Sequence, residues 1–278
     1  IIIDALAYNT YTTAYNTNMA ANECFLDSAT LRENVVSLAR NIGYVPRSRR
    51  SSRARISFNI SEITETVTAT VRAGIICNGS AANTSYIFSI PEDITVPVVD
   101  GVAVFDNIEI YEGTLINQNF TVNTSQFNQR YILSNSFIDT STIRVKVKPD
   151  ESSSSTVTYQ QIDNIVGVTS TSSSYLLQEI EDERYELIFG DNVIGKKLSN
   201  DNYITVSYII TSGKDGNGAS EFSFIGNIID QDGATIDASN FSLVTTEESS
   251  RDGDEIESIS SIKYYAPRIY SSQYRAVT

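Results

Sequence analysis

The residues of this sequence that could most directly do chemistry form an acidic cluster, because paired carboxylates are the groups that cleave glycosidic bonds. The members of this cluster are Glu179, Glu181, Asp182, Glu183 and Glu186. A glycosidase needs two carboxyl groups at a set separation, one acting as an acid and the other as a base or nucleophile. Charged residues concentrated at a turn between two strands are more often solvated. We therefore expect no catalysis from this cluster.

Three turns rich in aspartate and glycine resemble fragments of calcium-binding loops. They are Asp215–Gly218, Asp230–Gly233 and Asp252–Asp254. A complete EF-hand loop extends over about 12 residues and ends in a Glu that none of them has. Because Asp and Gly are also the residues that tight turns require, we expect turns and no metal site here.

The residue types that are missing exclude several classes of enzyme. The chain has no His, no Trp and two Cys, Cys24 and Cys77. Without His there is no Ser-His-Asp or Cys-His catalytic group and no zinc or iron site with a His ligand. Two Cys allow one disulfide at most, and we expect two buried thiols. The sequence thus predicts a protein that is no enzyme and has no cofactor, metal or small-molecule substrate.

The charge of the chain is strongly negative. Its 278 residues include 20 Lys+Arg and 34 Asp+Glu, which gives a net charge of −14. This balance argues against nucleic acid, whose binding requires a cationic surface. No apolar run approaches the roughly 20 residues of a transmembrane helix, so we expect no membrane partner. The sequence opens on Ile1 without an initiator Met, and we expect an internal piece of a longer polypeptide.

Basic residues are dense in one place only. Five arginines occur within nine residues, and this arginine strip consists of Arg47, Arg49, Arg50, Arg53 and Arg55. No aromatic residue is interleaved with them, as it would be in a nucleic-acid patch. Two interpretations remain open: a solvated linker, or a basic strip that meets an acidic partner subunit.

The elements that carry these residues are mostly strands. Ile plus Val number 54 against 11 Leu, and Ser, Thr and Asn together make up about 30% of the chain. Branched residues lose rotamer freedom in helices and pack well on sheets. From residue 56 to about 225 the sequence reads as short strands separated by Gly, Pro, Asn and Asp. The clearest two-residue period places Ile143, Val145 and Val147 on the face opposite to Arg144, Lys146 and Lys148.

The beginning and the end of the chain read as helices. A mostly aromatic stripe of Tyr8, Tyr11, Tyr15 and Met19 predicts a first helix, and Leu31, Val35, Leu38 and Ile42 predict a second one. Two helices cannot enclose a core alone, so both stripes need a partner, either the neighbouring domain or helices from other chains. Thr30 and Glu33 match a capping box. For the last helix we predict Asp254 as the N-cap and Pro267 as the end.

Five stretches in consistent order resemble the baseplate J-like family, to which a baseplate wedge protein of T-even-like contractile-tailed phages belongs. They are Leu6–Pro46, Phe105–Thr114, Phe137–Val147, Tyr185–Gly218, which contains an FGD-x-x-x-G hairpin, and Ala266–Thr278. This resemblance implies a virion structural protein whose helices join an inter-chain bundle with copies of itself and other wedge proteins. It also implies a place in the inner ring of the virion tail baseplate, assembled in the host cytoplasm, which couples host contact to sheath contraction.

The overall prediction is an α+β fold that is mainly β. An N-terminal helical hairpin is followed by mostly antiparallel β subdomains and a helix that leads out at the C-terminal end. The predicted domains are 1–46, a helical segment, 47–150 and 151–225, two β subdomains, and 226–278, an acidic loop and helix. As an interface with partners we predict Tyr8, Tyr11, Tyr15, Met19, Leu31, Val35, Leu38, Ile42, Arg47, Arg49 and Arg50. The alternative function is a β-rich surface or carbohydrate-binding module of the tail-fibre or adhesin type.

Overall fold

A computed structural model describes residues 2–63, 66–81, 83–162, 167–236 and 242–272 of the chain. Within this part the fold is mainly β, with three α-helices and two largely antiparallel sheets. The helices are α1 (Ile2–Glu23), α2 (Arg32–Asn41) and α3 (Ile259–Ser272). The predicted fold class is therefore confirmed. None of the helices described is both long and apolar enough to cross a membrane.

The strands follow one another from residue 53 to residue 251. In chain order they are β1 (Arg53–Ile60), β2 (Thr68–Val71), β3 (Gly74–Ala81), β4 (Thr84–Ile90), β5 (Ile94–Val99), β6 (Val102–Glu112), β7 (Thr114–Thr121), β8 (Tyr131–Ile132), β9 (Ile138–Lys148), β10 (Val157–Gln161), β11 (Ser174–Glu179), β12 (Tyr185–Phe189), β13 (Tyr203–Ile210), β14 (Glu221–Phe224), β15 (Ile228–Ile229) and β16 (Thr245–Arg251). Beta-branched and aromatic residues dominate most of them, as their strand propensity requires.

The chain divides into two compact units. The helical unit comprises Ile1–Arg47, Gln178–Tyr185 and Glu257–Thr278, and the sheet unit comprises Ser48–Leu177 and Glu186–Ile256. The helical unit therefore gathers three segments that lie far apart in the sequence. The predicted domain boundaries at 46, 150 and 225 concern parts that fold independently, and they stay a prediction.

The first sheet holds nine of the described strands. Its order is β14-β3-β4-β6-β5-β2-β15, and β1 pairs with both β6 and β16. The N–H of Ser250 in β16 donates to the carbonyl of Ala219, just before β14, at 2.8 Å. The path β14-β3-β4-β6-β1-β16 therefore brings its last strand back next to its first, and this part of the sheet is almost closed. The enclosed core includes the stacked rings of Phe58 and Phe105, whose centroids are 4.9 Å apart.

The second sheet holds seven of the described strands, in the order β7-β13-β9-β10-β11-β12-β8. On β9 the apolar residues Ile143, Val145 and Val147 are buried, whereas the basic residues between them are partly or fully exposed. The two-residue period read from the sequence is thus confirmed. Gly113 links β6 of the first sheet to β7 of the second with a φ of +122°. A Cβ at Gly113 would lie 2.1 Å from the Ile210 carbonyl oxygen, so only glycine fits there.

The prediction for the last helix was wrong at both ends. The helix begins at Ile259, and the hydroxyl of Ser258 accepts the N–H of Ser261 at 3.2 Å, which is the bond of an N-cap. Asp254 instead forms an isolated β-bridge with Arg50. Pro267 lies inside the helix and not at its end. Because Pro267 is exposed, water can bind the carbonyl group that its ring leaves without a donor.

One of the two thiols differs from the prediction that both are buried. Cys77 is buried in the first sheet, and this burial raises the pKa of its thiol to about 12. Cys24 is exposed after the last turn of α1, so the expectation of a buried thiol was wrong there.

Candidate partner interface

The most exposed apolar surface in the helical unit belongs to α1. This helix has 22 residues, and not one of them is buried. The exposed fractions of Tyr8, Tyr11, Tyr15 and Met19 are 73%, 70%, 56% and 42%. Between Asp4 and Glu23 the helix carries no charged residue. Between these two residues the helix has neither a buried side chain nor a charge for a salt bridge, so we expect a partner to stabilise it.

Glu23, at the end of α1, caps the start of α2. Its carboxylate accepts the backbone N–H of Thr30 at 2.8 Å and that of Leu31 at 3.3 Å. It also accepts the Thr30 hydroxyl at 2.6 Å and the side-chain amide of Asn34 at 2.8 Å. These bonds, the one from the Thr30 hydroxyl first, lower the pKa of Glu23 to about 2. The predicted capping box of Thr30 and Glu33 was therefore wrong, since Leu31 is the N-cap and the capping oxygens come from the preceding helix.

The stripe of α2 packs within the chain. Val35 and Ala39 are fully buried in one cluster with Ile262 and Ala266 of α3. Leu38 and Ile42 are partly buried and pack against the edge of this cluster. Leu31 differs from them, because 53% of its surface is exposed. Val35 has no exposed surface left with which to contact another chain.

A polar junction joins the three segments of the helical unit. The guanidinium of Arg32 on α2 donates to both oxygens of Glu179, at 2.8 and 3.1 Å, and also to the backbone carbonyl of Glu257. The side chains of Arg32 and Glu179 are 18% and 2% exposed. Burial raises the pKa of Glu179, and the ion pair with Arg32 opposes that rise. This pair therefore ties α2 to the acidic cluster of the sequence.

Glu257 is the second centre of this junction. Its carboxylate accepts the Tyr44 hydroxyl at 2.7 Å, the Ser261 hydroxyl at 2.6 Å and the backbone N–H of Arg47 at 2.9 Å. The pKa of Tyr44 is raised, first by burial and then by the hydrogen bond to Glu257. The beginning of α3 is thus held to the segment that follows α2.

The arginine strip is divided by the fold. Arg49 forms an ion pair with Glu255 at 2.9 Å and stacks over the ring of Phe137 at 4.5 Å. Arg53 and Arg55 belong to β1, where Arg53 stacks over Tyr111 at 5.4 Å and Arg55 approaches Glu248 at 3.8 Å. These positions are therefore strand and not linker. Arg47 and Arg50 are exposed, and the backbone of Arg50 is bonded to that of Asp254.

The acidic cluster and the turn at Asp230 have structural roles in the fold. Glu186, which is buried, accepts two hydrogen bonds from the Arg130 guanidinium at 2.8 and 2.7 Å. Glu181, Asp182 and Glu183 form a short 3-10 turn. Asp230 accepts the backbone N–H groups of Asp232 and Ala234 at 2.9 and 2.8 Å, which is the chemistry of a turn. Within the described ranges no group of three or more His, Cys, Asp or Glu could hold a metal ion.

Sequence reasoning missed the residues that hold the helical unit together. Arg32 and Glu179 are 147 positions apart, and no local pattern connects them. Glu257 stands just before Ser258, so a search for N-caps could have drawn attention to its neighbourhood. Glu23 carries no such signal, because capping rules consider residues of the helix that is capped.

No family model matches the chain. Over 242 residues, which are 81% of this chain and 36% of the relative, it is 26% identical to the baseplate wedge protein gp6 of Enterobacteria phage T4. The chain therefore spans about a third of the length of the curated relative that it matches. This similarity supports a structural role in a phage baseplate.

Proposed function

We propose that this chain is a structural component of a contractile-tail baseplate wedge. It assembles with copies of itself and with other wedge subunits into the inner baseplate ring that couples host contact to sheath contraction. It does so in the virion tail after assembly in the host cytoplasm. The similarity to the T4 wedge protein supports this role, and one observation carries it: α1 is a long helix without a single buried residue.

The part of the chain that joins the bundle is the stripe of α1. Tyr8, Tyr11 and Tyr15 follow one another at steps of three and four residues, so they share one side of the helix. A tyrosine has a large apolar ring with few rotatable bonds, which makes it an effective contact residue. Met19 extends the stripe, and the exposed Leu31 continues it beyond the turn after α1. Val35, Leu38 and Ile42 support the bundle indirectly, through the cluster with α3.

The basic contribution to the interface comes from Arg47 and Arg50. Both are exposed and follow directly on the helical segment. Arg49, between them, is half-buried, pairs with Glu255 and stacks over Phe137. An acidic partner subunit would be recognised by Arg47 and Arg50 and would be held off by most other surfaces of a chain with a net charge of −14.

Charge placed on the tyrosine stripe tests the proposal. We expect the double variant Tyr11→Glu/Tyr15→Glu to lower the yield of co-purified wedge subunits at least tenfold, because a buried unpaired carboxylate is costly. The matched control is Thr13→Glu/Thr17→Glu, which adds the same charge to the other side of α1. Both pairs are measured by co-expression with the other wedge subunits and sedimentation of the product. Wild-type yield from the tyrosine variant would refute the bundle.

The alternative, a carbohydrate-binding module, is favoured by a cleft in the sheet unit. The cleft has a volume of about 420 Å³ and is lined by amide side chains, among them Gln126 and Asn128, beside the aromatic rings of Tyr131 and Phe189. Amides and aromatic rings together suit a polar, uncharged ligand such as a sugar. If the chain is a scaffold, a glycan array should show no binding. Binding that Asn128→Ala abolishes, with the same thermal midpoint, would instead establish the alternative.

A further inference from the structure

The outward face of the second sheet has an unusual distribution of charge. Arg144, Lys146 and Lys148 project from β9 on the side opposite to the buried residues of that strand. Strand β13 pairs with β9 so that Thr205 lies opposite Lys146 and Ser207 lies opposite Arg144. On the far side of Thr205 lies Asn119 of β7. We call this surface the basic face.

The strands that build the basic face expose no carboxylate. Their one acid, Asp139 of β9, is buried and accepts the backbone N–H groups of Ser51 and Ser141. On β7, β9, β10 and β13, all of them within the described residues, none of the exposed or half-exposed side chains is acidic. The whole chain has 34 Asp+Glu against 20 Lys+Arg. Four adjacent strands without an outward acid are therefore a local reversal of the charge of the molecule.

The charges of this face are only partly neutralised within the chain. Arg144 forms an exposed ion pair with Glu92 at 3.3 Å. For Lys146 and Lys148 the part of the chain that the structure describes shows no ion pair. Asp150, just after β9, accepts the hydroxyl and the N–H of Ser152 at 2.5 and 2.9 Å. Its pKa is lowered first by the Ser152 hydroxyl and least by the charge of Lys148. Neither ammonium group is thus in a salt bridge within the described residues, and Lys146 in particular can meet a carboxylate of a partner.

The geometry points to an acidic protein surface as the partner of the basic face. Residues two apart on a strand lie about 7 Å from each other, so the three cations form a straight row. Carboxylates at every second position of an extended segment have the same spacing. The hydroxyl and amide groups of Thr205, Ser207 and Asn119 lie beside the row and supply further hydrogen bonds.

A protein suits this face better than a nucleic acid does. A nucleic acid carries its charge along its whole length and would extend beyond the row onto a surface with an excess of acids. An acidic patch of a folded protein meets only the row. The inference rests on the proposed function, because it takes the partner to be another subunit of the baseplate.

Zero-length cross-linking tests the inference directly. A carbodiimide joins a lysine to a carboxylate only when the two groups touch, and it would be applied to the wedge assembled with its other subunits. We expect mass spectrometry to find Lys146 or Lys148 joined to an Asp or Glu of another subunit. We also expect acetylation of both lysines by an amine reagent to be at least tenfold slower in the wedge than in the free chain.

Variants distinguish this inference from the proposed function. Lys146→Glu/Lys148→Glu should lower the yield of wedge at least tenfold, and the control Lys196→Glu/Lys197→Glu makes the same charge change on an exposed loop. Thermal unfolding of the free variants should match the wild-type chain. If the wedge forms but both lysines stay reactive, or if they contact nucleic acid, the inference is overturned and the proposed function stands. If the chain enters no wedge, both fail.

Discussion

Glu23 shows how one carboxylate determines where a helix ends and the next one begins. It closes the turn after α1 with bonds to two backbone N–H groups, one hydroxyl and one side-chain amide. Since α1 has no buried residue, these bonds are the main described contacts that orient it towards α2. Glu23 therefore contributes to the direction of the tyrosine stripe, together with the Ser28 hydroxyl, which donates to the carbonyl of Asn22 at 2.6 Å.

We predict that Glu23→Ala speeds hydrogen exchange at the Thr30 and Leu31 amides at least tenfold. The variant removes the acceptor of both N–H groups, and mass spectrometry or NMR of the free chain measures the exchange. The control is Glu33→Ala, which removes an acid from the first turn of α2 without touching this turn. Equal exchange in the two variants would show that the carboxylate does not hold the turn.

The stability that the hydrogen bonds of Glu23 contribute should decrease as the pH falls. The folded pKa of Glu23, about 2, lies below its ordinary value of 4.5. A carboxyl group with a depressed pKa contributes its full stability above the ordinary value and loses it as the pH falls towards the folded value. The difference in stability between the wild-type chain and Glu23→Ala should therefore shrink between pH 4.5 and pH 2. Equilibrium unfolding followed at several pH values measures it.

At the scale of elements, the two N-terminal helices have opposite roles that look alike in the sequence. Both carry an apolar stripe at helical spacing, but α2 buries three residues within the chain and α1 buries none. Periodicity shows that a face is apolar and cannot show what covers it. The same limit applies to α3: the sequence pattern predicts that this helix ends at Pro267, but the helix continues to Ser272.

The ion pair of Arg32 should be the strongest single tie of α2. We predict that Arg32→Ala lowers the free energy of unfolding of the helical unit by roughly 3–5 kcal/mol, because it leaves the buried Glu179 without its cation. Arg40→Ala on the same helix is the control, since Arg40 is exposed and bonds only to Ser37. Chemical denaturation followed by far-UV circular dichroism, which reports the helices, measures both. A cost below about 1 kcal/mol, as for a solvated pair, would contradict the prediction.

For the molecule as a whole, the composition of the chain predicted that it forms sheets but not the order of the strands within them. The ratio of Ile and Val to Leu and the alternation around Val145 indicated sheets, and most of the strands lie where these patterns put them. The partner of each strand was beyond reach, because β1 pairs with β16 from nearly 200 residues away. Pairing at that distance depends on how the whole sheet packs, and a short stretch of sequence carries no information about it.

The same limit applies to the residues proposed for the interface, because the sequence does not show which of them have contacts within the chain. The tyrosines of α1 were identified because their spacing is local. Arg49 and Val35 looked equally suitable, yet Arg49 finds Glu255 and Phe137, and Val35 finds α3. Arg49 and Val35 thus have contacts within the chain, and the interface with partners stays a prediction.

The near closure of the first sheet by Ser250 has a consequence for synthesis. Strands β7 to β13 of the second sheet form one continuous stretch, Thr114 to Ile210, nested inside the sequence of the first. During synthesis, all strands of the second sheet therefore leave the ribosome before β14, β15 and β16 of the first sheet do. Strand β1 of the first sheet therefore has an unpaired edge until β16, which ends at Arg251, has been synthesised. The newborn chain is most exposed to misassembly during that interval, and a pause in translation there would prolong it.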